Sequence, residues 1–84
     1  MRQYDIPNQL TLNNVNIELK TISTIIKNNP EVTINLGNIT KIDSAGIALL
    51  IELHNITHSL HHKIHYSNIT NNITSLCNLY QIKL

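Results

Sequence analysis

The sequence predicts a small α/β domain, a mixed β-sheet with helices packed against it, and three observations carry that expectation. Short segments with apolar residues at every second position alternate with longer segments whose apolar residues recur three or four apart. Their order is strand, helix, strand, helix, strand, helix, which suits helices laid on a sheet. The 84 residues fit a single domain, 1–84, with no repeat or linker inside it. A domain so short buries only about 60–65% of its unfolded surface, so its stability is expected to be marginal and partner contacts to matter.

The elements follow in chain order. "RQYDI" (2–6) puts Tyr4 and Ile6 on one side and reads as a short strand, ended by Pro7-Asn8. "NNVNIELKTISTIIKNN" (13–29) repeats Val15, Leu19, Ile22 and Ile25/Ile26 at the spacing of one helical face. Asn13 or Asn14 can cap its start, and Asn28-Asn29-Pro30 stops it. "EVTINL" (31–36) alternates Val32, Ile34 and Leu36 as a second strand. Gly37-Asn38 makes a turn, and Ile39 to Ile42 is a tight connection into a long central helix running to Leu60. "KIHYSN" (63–68) gives a third strand through Ile64 and Tyr66. "TNNITSLCNLYQI" (70–82) places Ile73, Leu76, Cys77 and Tyr80 at helical spacing, with Thr70 or Asn71 as cap.

Composition narrows the function classes. Apolar residues make up 42% and are almost all aliphatic, with no Trp and no Phe. Charged residues reach 13%, against about 25% in an ordinary domain. A net charge of +1 makes no electrostatic case for nucleic acid or an anionic membrane surface. One cysteine, Cys77, excludes an internal disulfide and a Cys-based zinc cluster, and its helical spacing reads as packing. No apolar run approaches a membrane span, and "MRQYDIPNQ" has no signal-peptide core, so a soluble cytoplasmic protein is expected.

The central helix carries more apolar residues than one buried face requires. On a wheel of about 100° per residue with Ser44 at zero, Leu49, Leu50, Leu53, Ile56 and Leu60 gather opposite, a stripe wide enough to dock on a sheet. Ile47 and Ile51 fall on the Ser44 side with Ala48, Asn55 and His58. Single exposed aliphatic residues are ordinary. A run of them rimmed by polar groups is also what a partner covers, and Ser44 on the same side favours that reading. Asp43 or Ser44 could be the helix N-cap.

These residues carry a resemblance. "TINLGNITKIDSAGIALLIELHN" (33–55) resembles the central segment of STAS domains, in which a strand leads through "DSAG" or "DSSG" into an amphipathic helix. "QLTLNNV" (9–15) resembles the turn before their first helix, and "NITSLCNLYQI" (72–82) their closing helix. The match spans nearly the whole chain and is specific at Asp43-Ser44-Ala45-Gly46 and the following Ile47-Ala48-Leu49-Leu50. "DSAGIALLIELHN" is most similar to the MlaB-like (YrbB-like) branch. That resemblance implies a non-catalytic STAS subunit, free of cofactors. Its partner would be the MlaF-like ATPase subunit of a phospholipid ABC transporter, in a complex with the permease, maintaining outer-membrane lipid asymmetry in Gram-negative bacteria. It implies that Ser44, Ile47, Ala48 and Ile51, with Asn55 and His58 on the same side, touch the ATPase, while Asp43 and Gly46 shape the turn. It places the chain in the cytoplasm, peripheral at the inner membrane through the transporter. The other branch, the anti-sigma-factor antagonists, implies a switch in which Ser44 is a phosphoacceptor. STAS domains open with two strands as a hairpin, and only "RQYDI" precedes the turn here, so the N-terminal strand is abbreviated.

Other constellations are weaker. Five histidines (His54, His58, His61, His62 and His65) include a pair four apart on a helix, but no HExxH frame is present and His61-His62 falls in a turn, so no metal site is expected. Catalysis by Ser44 would need an oriented general base, and none adjoins it. Gly37 and Gly46 are the only glycines, so no phosphate-cradling loop forms.

Overall fold

A computed structural model of the chain describes residues 2–81. Its elements are β1 (Arg2–Asp5), β2 (Gln9–Leu10), α1 (Val15–Asn28), β3 (Glu31–Asn35), β4 (Lys41–Ile42), α2 (Ser44–Ser59), β5 (Lys63–Ser67) and α3 (Asn71–Leu79). The α/β class is as expected. β3 lies at the centre of a three-stranded sheet, flanked by β1 and β5, and a separate pair joins β2 to β4. All these pairings are parallel. The expectation of a mixed sheet is corrected accordingly among the described residues. Among the described residues no hairpin joins neighbouring strands; α1 and α2 return the chain between β1, β3 and β5, as parallel pairing requires.

The register aligns Tyr4, Ile34 and Tyr66 in one row across the sheet. With Ile6, Val32, Leu36 and Ile64 they make the apolar face, against which α1 packs at β3 and α2 packs at β5. Gln3, Asp5, Glu31, Thr33, Asn35, Lys63, His65 and Ser67 alternate onto the other face, which is polar. Period-two alternation in the strands is therefore the sign of a sheet covered on one side.

Ile22, Ile26, Val32, Ile34, Leu36 and Leu53 are completely buried, and α3 adds Ile73 and Cys77 to the same core. Burial pushes the Cys77 thiol pKa above its ordinary value. Two expected core positions are exposed instead: Leu60 at 39% and Tyr80 at 49%. Each is the C-cap residue just past its helix, where the wheel no longer describes the chain's direction. Ile82, the last residue of the expected closing segment, lies outside the described residues.

The end of α2 shows why. His61 N–H donates to His58 O (3.1 Å) and His62 N–H to Thr57 O (2.9 Å), the pairing of a Schellman ending. That ending needs a left-handed residue, and His61 takes it with φ 59°. Gln81 does the same after α3 with φ 57°.

One polar side chain is buried in α1. Glu18 is 7% exposed, and the Tyr4 hydroxyl donates to its Oε1 at 2.7 Å. Burial, then that hydrogen bond and the charge of Glu18, push the Tyr4 pKa up to about 12.

Candidate functional site

The start of α2 is built around Asp43. Its Oδ1 accepts from Gly46 N–H at 3.1 Å and its Oδ2 from Leu12 N–H at 3.1 Å. One carboxylate thus caps α2 and ties it to the turn before α1. The Leu12 amide is the largest cause, with those of Gly46 and Ala45 adding, that holds the Asp43 carboxyl below its usual range. The cap is Asp43, so the Ser44 hydroxyl has no capping task and Ser44 is exposed.

The turn that reaches Asp43 is itself braced. Asn14 accepts from Thr11 N–H (2.9 Å) through Oδ1 and donates from Nδ2 to Gln9 O (2.8 Å). Thr11 Oγ1 accepts from Asn13 N–H at 3.2 Å. Asn14 is the N-cap position of α1, but its side chain holds the turn and bonds none of the helix's own amides. Leu12, 77% exposed, is thereby fixed next to the α2 N-terminus.

Gly46 works differently from the expected turn-shaping role. It lies inside α2, and no glycine has a positive φ. A Cβ there would collide with the Leu10 carbonyl oxygen and stand 2.8 Å from Ile42 Cγ1. Glycine is needed because the paired residues Leu10 and Ile42 press against the first turn of the helix.

That pressure also corrects Ile47. It was expected on the partner-facing side, but it is 2% exposed and belongs to the core. α2 packs on β4 as well as on α1 and β5, so its buried arc is wider at the start than a single docking stripe. Ser44, Ala48, Ile51, Asn55 and His58 are exposed, as expected, and Ile51 is 40% exposed. At about 100° per residue these five stay within about 40° of one line along the helix.

The sequence reading missed the other wall of this surface. Val15, Asn16 and Leu19 of α1 face Ala45, Ala48, Leu49 and Glu52 of α2 across a groove of about 330 Å³. Past Glu52 a second depression of about 320 Å³ continues between Lys27 and Asn55, Ile56, Ser59 and Leu60. Val15 and Leu19 had been expected on the core face of α1; both are half-buried, at the margin of that face. Both pack against the core while lining the groove, a placement set by the packing of α1 on α2, which a single-helix wheel does not contain. The arrangement offers an aliphatic surface with a hydroxyl, an amide and an imidazole along one side.

Neither a family model nor a curated protein matches the chain. Among the described residues, no helix is long and apolar enough to cross a membrane.

Proposed function

We propose that this protein is a non-catalytic STAS-type adaptor. Its partner in this reading is the MlaF-like ATPase subunit of a phospholipid ABC transporter, which it binds in the cytoplasm and supports within the complex with the permease. The observation that carries the reading is the exposed line Ser44, Ala48, Ile51, Asn55 and His58, set beside the fixed Leu12. The Asp43-Ser44-Ala45-Gly46 resemblance supplies the partner's identity. Burying an aliphatic strip of this kind contributes about 25 cal/mol per Å² before association costs are subtracted.

Ile51→Asp tests it. The new carboxylate stays in water in the free domain and leaves the fold intact. In a complex it is desolvated without a partner, at roughly 3 kcal/mol or more, which is more than about a hundredfold in Kd. Leu53, completely buried, is the counterpart: Leu53→Asp should unfold the domain. Circular dichroism reads folding and co-purification with the ATPase reads binding. A folded Ile51→Asp variant that still co-purifies defeats the proposed surface.

A second reading has its own support. Ser44 is exposed and relieved of capping by Asp43, so its hydroxyl is accessible to a kinase, as a sigma-regulatory switch requires. A phosphate there gains from the helix N-terminus but stands beside the Asp43 carboxylate. Incubation with a cognate serine kinase and mass spectrometry of the Ser44 peptide separates the two.

A further inference from the structure

Among the described residues β1 pairs with β3 alone, which makes it an edge of the sheet. Ile6 N–H donates to Asn35 O at 3.2 Å, so the backbone groups of Ile6 face β3. Those of Tyr4 and Arg2 face it too, because the direction alternates along a strand. Gln3 and Asp5, both exposed, therefore turn their N–H and C=O groups outward, a row that a further strand can pair with. Above this edge stands the flank of α1 turned away from α2, since α1 packs over β3 and α2 over β5. Val15 and Leu19 mark the α2 side, and Ile17, Thr21 and Thr24 lie opposite at about 100° per residue. All three are exposed, Ile17 by 66%. Thr21 Oγ1 donates to Ile17 O at 3.1 Å and Thr24 Oγ1 to Lys20 O at 3.0 Å, so these positions present neither a free hydroxyl proton nor a charge. Beneath them Glu18 is buried with the Tyr4 hydroxyl as its donor, and among the described residues no cation pairs with it. A buried carboxylate calls for one.

We propose that this edge is a self-association surface, on which a second copy of the chain lays its own β1 antiparallel about a twofold axis at Gln3. The axis is normal to the sheet, so the helices of both copies stay on one side. Gln3 exchanges both of its backbone bonds with Gln3 of the second copy. Arg2 then stands opposite Tyr4 of the second copy as a non-bonded pair, with Cα atoms about 4.5 Å apart. Arg2 and Tyr4 share the helix side of β1, in register with Val32 and Ile34. Each guanidinium is thus brought onto the other copy's Tyr4 ring and toward the Glu18 carboxylate that the tyrosine hydroxyl already holds. An axis at Tyr4 would instead set Arg2 opposite the completely buried Ile6 and leave Glu18 without a cation. The two α1 flanks meet above the joined strands, where Ile17 is covered by the uncharged flank of the other copy. None of the exposed line on α2 is used, so this surface is independent of the adaptor reading.

Sedimentation velocity of the full chain, without an N-terminal tag and over a concentration series, reads the state; a dimer is expected. Gln3→Pro removes the outward N–H and none of the bonds to β3, at an edge position that tolerates proline. That variant, Arg2→Glu and Ile17→Asp should each weaken self-association at least about tenfold. Circular dichroism checks that each still folds. Ile51→Asp, on the α2 line, should leave the dimer unchanged. In the unmutated chain, hydrogen exchange at the Gln3 amide should slow as concentration drives dimer formation. A chain that is monomeric at every concentration overturns the proposal, as does a dimer that folded Gln3→Pro and Arg2→Glu leave intact. So does a Gln3 amide that exchanges no more slowly in the dimer. A dimer dissociated by Ile51→Asp places the contact on α2 and overturns it as well.

Discussion

Replacing Gly46 with alanine sets two effects of opposite sign against each other. Alanine in a helix is favoured over glycine by up to about 1 kcal/mol. If Gly46 were there only by default, Gly46→Ala would stabilise the domain. The Cβ, however, would meet the Leu10 carbonyl oxygen and lie 3.1 Å from the carbonyl carbon and 2.8 Å from Ile42 Cγ1. The first obstacle is backbone, in a residue that is itself completely buried and paired with Ile42, so no side-chain rotation relieves it. Overpacking of a core costs about 1–3 kcal/mol, and a backbone obstacle belongs at the upper end. The net expectation is a loss of about 1–2 kcal/mol. For a domain of this size each kcal/mol shifts Tm by about 4–8 °C, so the melting point should fall by roughly 5–15 °C. Thermal denaturation followed by circular dichroism measures it. A melting point equal to or above that of the parent would mean that β2 does not bear on α2, and the account of both Gly46 and Ile47 would fail with it.

Three further outcomes are expected. Tyr4→Phe removes the hydroxyl that donates to the buried Glu18 and should cost roughly 1–3 kcal/mol by urea denaturation. His61→Gly should raise stability by about 0.5–1 kcal/mol in the same assay, because glycine takes the left-handed backbone of the α2 ending without strain. The Asp43 carboxyl has a folded pKa below its unfolded one, so its contribution is present above the unfolded value and is lost as pH falls through the folded value. The urea midpoint of the parent should therefore drop as pH falls below about 4, from near the ordinary carboxyl value of 3.8 downward, and that of Asp43→Asn should drop less.

Much of the fold was legible because the alternation of Val32, Ile34 and Leu36 and the helical spacing of Ile22 and Ile26 each record a single burial direction. The two-residue strands β2 and β4 were read as a turn and a connection. Two residues are too few to show a period, and their pairing joins positions about thirty apart in the chain. The helix ends were blurred for a different reason. With glycine only at positions 37 and 46, the left-handed residues that close α2 and α3 are a histidine and a glutamine, which carry no stop signal. Leu60 and Tyr80 were placed in the core by extending the wheel past those unmarked ends.

The same distinction bears on the candidate surface. Ile47 and Ile51 are one helical turn apart, and both lie toward Ser44 on the wheel. Periodicity could not separate them because what separates them is not on the helix. β2 and β4 press on the first turn of α2, while further along the helix Ile51 is left 40% exposed. Losing Ile47 narrows the apolar strip to Ala48 and Ile51, and Leu12 adds an exposed apolar side chain near the helix start from an element the wheel ignores. Leu12 is in place because the Asp43 carboxylate that caps α2 also takes its amide proton. Asp43 is therefore a positioning residue for the surface as much as a cap. Asp43→Asn keeps one acceptor oxygen and gives up the other, so it should weaken partner binding through Leu12 while Ser44 and Ile51 remain in place. If Leu12→Ala alone weakens co-purification with the proposed ATPase partner to the same degree, and the two changes together do no more, the coupling runs through that one hydrogen bond. Additive losses would assign Asp43 a direct contact instead.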